Sequence, residues 1–375
     1  MLLAPGFGNL LTRDKELPVA PYGPARGSSR VGVRFRRVLA AVPLTLFAAC
    51  ATGTAGIDAV DLPRAGAVAD AGKADASRAG VAIPGAPTSH VVIVSVDGLR
   101  PDAIGKFGAT TLGRLAREGS HTFKATTINP SKTLPSHTSM LTGEGPEEHG
   151  ITWNSNETAT HSTVTIPTVF AIARAQGLQT AAFFSKGKFN HLEVPGSLDY
   201  SQAPNGDGKW SAERTLGDVE RYLRSNRPNL LFVHFAEPDN AGHLWGWMSG
   251  FYGRAVRKAD AAVGQLLAAA DRAYGAGNYT VIVTADHGGH SRTHGSTRAE
   301  DVTIPWIAWG EGVSGGTTIA DAVRTMDTAG TALWLLGVDA PDGWSGVAVR
   351  SAFSEAARAA ADEAVHAGLH ASATR

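Results

Sequence analysis

Three apolar runs limit what this chain can fold into: residues 90–96 (HVVIVSV), 229–235 (NLLFVHF) and 279–284 (YTVIVT). Each is hydrophobic along its length rather than at alternate positions, so each reads as a strand buried on both faces. Helical patterns lie between them. Residues 110–118 end at Gly119, 166–176 end at Gly177, 211–225 are amphipathic and 252–274 are Ala-rich. Strands are also predicted at 180–184 and 303–309, and a last helix at 318–336. Buried strands interleaved with helices give an α/β fold with a mostly parallel sheet sandwiched between helices. With 375 residues, 43% of them hydrophobic, the chain can build one large domain.

The polar residues that leave these strands carry the chemistry. Asp97 ends the first run. Asp239 and His243 follow the second, and Asp286, His287 and His294 follow the third, with His290 close by. In an open α/β sheet, ligands bind at the carboxyl edge of the strands. A lone Asp97 would read as a helix cap, and Asp239 with His243 would suit one face of a helical turn. All of them on one sheet edge would form a repulsive cluster unless cations held it. Carboxylate with imidazole suits Zn²⁺. The single cysteine, Cys50, rules out a cysteine cage within the chain. Gly288 and Gly289 would let the backbone turn sharply enough for adjacent Asp286 and His287 both to ligate. Thr133 lies at a predicted helix start, with Pro135 in the first turn. Such a terminus offers N–H groups and a favourable dipole to a phosphoryl group, though Thr133 would also serve as a plain cap.

Formal net charge is zero and no basic stripe stands out, so a nucleic-acid polymer is not indicated as a partner. Arg34, Arg36 and Arg37 precede an apolar stretch, 38–49, too short to span a bilayer, and then Cys50. This resembles a bacterial lipoprotein signal with Cys50 as the lipidated residue; Ala49-Cys50-Ala51 also fits a secretory cleavage site. Either reading exports the protein, to the periplasm or to the outer membrane through a lipid anchor on Cys50. The expected organisation is an export region over 1–50 with extra residues upstream of the signal, a flexible linker over 51–88 rich in Ala, Gly and Asp, a catalytic domain over 89–350 and a helical tail over 351–375.

Four ordered motifs make the folded part recognisable: Val96-Asp97-Gly98, residues 132–138 (KTLPSHT), residues 237–243 (EPDNAGH) and Ala285-Asp286-His287-Gly288. They resemble the alkaline phosphatase superfamily, in particular its nucleotide pyrophosphatase/phosphodiesterase branch. The resemblance implies two Zn²⁺ ions. Asp97, Thr133, Asp286 and His287 would hold one; Asp239, His243 and His294 would hold the other. It also implies that Thr133 attacks phosphorus in line and forms a phospho-enzyme, its hydroxyl made acidic by one ion and the leaving oxygen stabilised by the other. Asn154 matches the family's phosphate-binding Asn. With the helix-start N–H it would donate to the non-bridging oxygens.

The resemblance leaves the small phosphoester substrate open. Lys186 and Lys188 follow a strand and share a side if it continues, which suits the dianionic phosphate of a monoester or phosphonate. A diester needs a pocket for its second substituent, which Trp153, Trp245, Trp247 and Tyr252 could line; they would equally serve as packing. The leading expectation is a phosphodiester or nucleotide-type hydrolase, with a Thr-dependent monoesterase close behind. A phosphotransferase shares every motif. A sulfatase needs Cys or Ser where Thr133 stands.

Overall fold

The computed structural model describes residues 81–372, with side chains described as far as residue 364. The expected export segment, Cys50 and most of the expected linker lie outside these residues. In chain order the elements are β1 (Val91–Val96), α1 (Pro101–Lys106), α2 (Thr110–Glu118), β2 (Ser120–Thr126), α3 (Thr133–Thr142), α4 (Pro146–His149), α5 (Val169–Ala175), β3 (Thr180–Phe183), β4 (Tyr200–Gln202), α6 (Ala212–Leu223), β5 (Leu230–Phe235), α7 (Asp239–Trp245), α8 (Gly250–Tyr274), β6 (Thr280–Thr284), α9 (Ala299–Val302), β7 (Thr303–Gly310), β8 (Thr317–Thr318), α10 (Asp327–Leu335) and α11 (Glu355–Ser372).

One eight-stranded sheet runs β4-β3-β5-β1-β6-β7-β2-β8. All pairings are parallel except those that β7 makes with β6 and β2. The three apolar runs become the neighbouring central strands β5, β1 and β6, and every residue in them is buried. Helices α3, α5 and α10 pack on one another, and α2 and α6 both pack on α8. The expected α/β sandwich with a mostly parallel sheet is therefore the fold.

The sequence reading missed or misplaced several elements. The helix expected over 318–336 starts only at Asp327, because Thr317 and Thr318 pair with Ser120 and His121 as the edge strand β8. Strand β2 had no apolar run to announce it, since Ser-His-Thr-Phe-Lys-Ala-Thr is largely polar. Helix α5 starts after Thr168, which caps it by accepting the Ala171 N–H and follows Pro167. Of the expected linker, residues 81–88 are described; Ile83 packs against the core and the Thr88 N–H bonds the Leu335 carbonyl.

Parallel register aligns the strand ends. Ser95 of β1 sits opposite His234 of β5 and Thr284 of β6. The chain therefore leaves all three strands at one level, and Asp97, Asp239 and Asp286 emerge together.

Candidate active site

Thr133 is the first residue of α3, capped by extended Lys132, and is 1% exposed. Its Oγ1 lies 3.2 Å from His287 Nε2. The same nitrogen lies 3.5 Å from Asp97 Oδ1 and 3.1 Å from Asp286 Oδ2. Asp97, Thr133, Asp286 and His287 thus meet at one point. Beside it, Asp239 Oδ1 lies 3.3 Å from His243 Nε2 and 3.7 Å from His294 Nε2, with the His287 and His294 rings stacked at 3.6 Å. His290 turns elsewhere: its Nδ1 is 2.7 Å from Asp301 Oδ1.

Each carboxylate has one oxygen tied and one free. Asp97 Oδ2 meets His234 Nε2 at 2.9 Å and Lys186 Nζ at 2.7 Å. Asp239 Oδ2 takes Lys186 Nζ at 2.6 Å, and Asp286 Oδ1 accepts the Gly98 N–H at 3.1 Å. The opposite oxygens, Asp97 Oδ1, Asp239 Oδ1 and Asp286 Oδ2, are buried without a hydrogen-bond donor. Buried orphan oxygens are costly and rare in folded proteins.

The histidines complement them. The Nδ1 atoms of His243, His287 and His294 lie 2.8–3.1 Å from the carbonyls of Arg292, Gly288 and Ser131. A carbonyl only accepts, so Nδ1 carries the proton and the neutral ring turns a bare Nε2 toward the carboxylates. Orphan oxygens facing bare nitrogens are a donor set for metal cations, with the outer hydrogen bonds that orient such ligands. The residues fit the ions the sequence implied. Among the described residues, Asp239, His243 and His294 form one group with ligand atoms within 4.8 Å of one another, and Asp97, Asp239 and His287 form another.

Burial raises the Asp97 and Asp239 carboxyls, but the Lys186 ammonium and the neighbouring histidines together outweigh it and hold both well below the usual range. Asp286 is pushed up to about 7 by burial and by the Asp97 charge. Burial and the neighbouring His287 pull His294 down to about 3, while the adjacent Asp239 carboxylate raises His243.

Asn154 meets the start of α3 differently from expectation. Its Oδ1 accepts the Leu134 N–H at 2.8 Å, so that amide is engaged with Asn154 itself. The remaining donor of Asn154 is its NH₂ group. Beyond Phe183 the strand gives way to a 3₁₀ turn at Gly187–Leu192. Even so, both lysines reach the site: Lys186 between Asp97 and Asp239, and Lys188 Nζ onto Asn154 O at 2.6 Å and Oδ1 at 3.2 Å. Burial, then the Lys186 charge, lowers Lys188 to about 8.

The aromatic wall separates into parts. Trp247 Nε1 and Tyr252 OH both donate to the Gly98 carbonyl, at 3.0 and 2.9 Å, so these two are packing. Trp247 also buttresses His243 and His294, with ring centroids 5.1 and 5.9 Å away. Trp153 stacks on His161, and Trp245 stacks on Phe251 at the surface. Gly288 and Gly289, expected to permit a sharp turn, do so without positive φ. They are small because a Cβ would meet the Glu300 carbonyl oxygen at 2.1 Å and the Trp247 ring at 2.2 Å. Gly98 does need φ +71°, where β1 turns beneath α7 and a Cβ would lie 2.9 Å from Asp239 Cα.

Residues 91–302 match the family described as type I phosphodiesterase/nucleotide pyrophosphatase. The chain belongs to this family. It is 27% identical over 202 residues to human ectonucleotide pyrophosphatase/phosphodiesterase family member 1, covering 49% of this chain and 22% of that protein. A venom phosphodiesterase of Crotalus durissus collilineatus is 26% identical over 219 residues, 53% of this chain and 26% of its own. Mouse family member 7 is 27% identical over 228 residues, 55% of this chain and 52% of its own. The chain therefore spans about a quarter to a half of these relatives. Murine ectonucleotide pyrophosphatase/phosphodiesterase 5, solved as an inactive variant with AMP, superposes with TM-score 0.61 at 18% identity, covering 71% of this chain and all of that one. A 2-O glycosaminoglycan sulfatase superposes with TM-score 0.60 at 16% identity, covering 70% of this chain and 73% of that one. The alkaline-phosphatase-like fold and the family read from the four motifs are those found.

His234 was not singled out from the sequence. It sits inside the apolar run of β5 and looks like a core residue, and only the pairing of β5 with β1 places it against Asp97.

Proposed function

We propose that the protein is a metal-dependent hydrolase of phosphoric esters that acts through a phosphorylated Thr133. The observation that carries this is Thr133 Oγ1 at a helix start, 3.2 Å from His287 Nε2 and among three carboxylates with orphan oxygens. Asp97, Asp286, His287 and Thr133 would hold one Zn²⁺, and Asp239, His243 and His294 a second. Ions held there would make the Thr133 hydroxyl acidic and offset charge on the oxygens around phosphorus. The α3 terminus would present Thr133 for in-line attack on the ester. Its Oγ–P bond forms as the P–O bond to the leaving group breaks, and the hydroxyl proton passes to solvent. Water then cleaves the phosphothreonine. The Asn154 NH₂ would donate to a non-bridging oxygen, a contact typically worth ~10²–10³ in rate.

The relatives are named as phosphodiesterases and nucleotide pyrophosphatases, which supports a diester or pyrophosphate substrate. One observation favours a terminal phosphate instead. Lys186 reaches Asp97 and Asp239 and Lys188 reaches Asn154, while Trp247 and Tyr252 are engaged in packing. Export to the periplasm or outer membrane, with anchoring through Cys50, remains part of the proposal.

The test is to compare rates on p-nitrophenyl phosphate and bis-p-nitrophenyl phosphate with zinc present, using Thr133→Ala as control. A Thr133-dependent rate on either, with acid-trapped phosphothreonine, supports the reading. No Thr133-dependent rate on either overturns it.

A further inference from the structure

The three histidines facing the cluster share one tautomer, and His234 has the other. Its ring is fully buried, and the Ser185 N–H points at its Nδ1 at 3.3 Å. A backbone amide only donates, so Nδ1 is bare and the proton sits on Nε2. His234 is therefore a donor to Asp97 Oδ2, 2.9 Å away, and not a ligand itself. With Lys186 Nζ on the same oxygen, Oδ2 has donors for its lone pairs, and the orphan Oδ1 is what Asp97 offers the cluster. A lysine on a flexible stem does not fix a carboxylate's rotation; a ring clamped from both sides does. Ser185 Oγ also donates to the His234 carbonyl, and Ser185 directly precedes Lys186.

We propose that His234 is a positioning residue that selects which oxygen of Asp97 a metal ion receives and ties the lysine-bearing strand end to that same carboxylate. The proposal rests on the metal reading above. It gives His234 a part played through Asp97 and never through contact with substrate. Outer hydrogen-bond partners of metal ligands typically carry 10–100-fold in affinity.

The two amide replacements separate this from a packing role. A Gln amide nitrogen reaches the place of Nε2 and keeps the bond to Asp97. An Asn amide ends near the place of Nδ1 and loses it. Zinc affinity of the full chain is read by competition with a chromogenic chelator, alongside the visible spectrum with Co²⁺ and the unfolding midpoint in EDTA. The expected result is that His234→Asn weakens zinc binding about 10- to 100-fold and alters the Co²⁺ spectrum, while His234→Gln stays close to wild type. The metal-free midpoints should not track that order. Should the Asn variant fail to fold, Gln still decides against Asp97→Asn as benchmark. Gln binding as weakly as Asp97→Asn overturns the proposal, as does equal loss in Gln and Asn, or wild-type affinity in Asn. A wild-type chain that binds no zinc overturns the metal reading itself, whereas a zinc-binding wild type with unaffected Asn removes only the role of His234.

Discussion

Lys188 should give phosphate recognition a pH step that an arginine abolishes. Its ammonium lies against Asn154, and burial with the nearby Lys186 charge lowers it to about 8. The group is charged below that value and neutral above it. About nine-tenths carries the charge at pH 7 and about one-tenth at pH 9. A phosphate monoester is a dianion across this range, so kcat/KM on p-nitrophenyl phosphate should fall about five- to tenfold between these pH values. That ratio reports free-enzyme groups. The floor is set by the whole contact, about 1.5–3 kcal/mol for a hydrogen bond to a charged group, or roughly 10- to 150-fold in Lys188→Met. Lys188→Arg keeps its charge throughout. The ratio of wild type to Lys188→Arg removes pH effects common to both, such as changes at the metal ligands. The assay is steady-state kinetics from about pH 6.5 to 9.5. Parallel profiles for wild type and Lys188→Arg would refute the reasoning. So would a step above pH 9, because cations bound at the neighbouring carboxylates can only lower the Lys188 pKa further.

The other predictions are simpler. Thr133→Ala should abolish turnover on any phosphoester and stop trapping of a phospho-enzyme, whereas Thr133→Ser should keep a measurable rate; equal loss in both would argue against the hydroxyl as nucleophile. His294→Ala should lose zinc stoichiometry in a dialysed sample while His290→Ala, paired with Asp301, should not; the reverse would exchange their roles. Gly289→Ala places a Cβ 2.2 Å from Trp247, so overpacking should cost about 1–3 kcal/mol, seen as a lowered Tm. An unchanged Tm would mean that the Trp247 ring is not held there.

What the sequence disclosed follows from where the physics is local. The runs of β1, β5 and β6 declared themselves because a strand buried on both faces has no polar position to spare, and parallel pairing of neighbours then brings Asp97, Asp239 and Asp286 to one edge. Adjacency and short spacing, as in Asp239 with His243, could also be read directly. What depended on contacts between distant segments could not. The purpose of Gly289 lies in Trp247, forty-two positions earlier, and a one-residue motif cannot tell a turn glycine from a close-packed one. Strand β2 and the edge strand β8 lack a buried face long enough to leave a pattern.

The charges in the site bear on the substrate. Three buried carboxylates face one buried ammonium, Lys186, and burial disfavours protonating His294. Unaided, the cluster is an anion two charges in excess when all three aspartates are ionised, and the rise of Asp286 to about 7 is the chain's own partial relief of that excess. Two divalent ions, on the proposed reading, would reverse the sign and leave two positive charges. An ionised Thr133 takes up one of them, so a diester, with its single negative charge, would bring the site to neutrality without further help. A monoester dianion would overshoot by one. Lys188 would supply that last charge, although burial and the Lys186 charge lower its pKa to about 8. The phosphate dianion that needs the charge would also raise the Lys188 pKa, so on the proposed reading Lys188 would favour the more highly charged ester class.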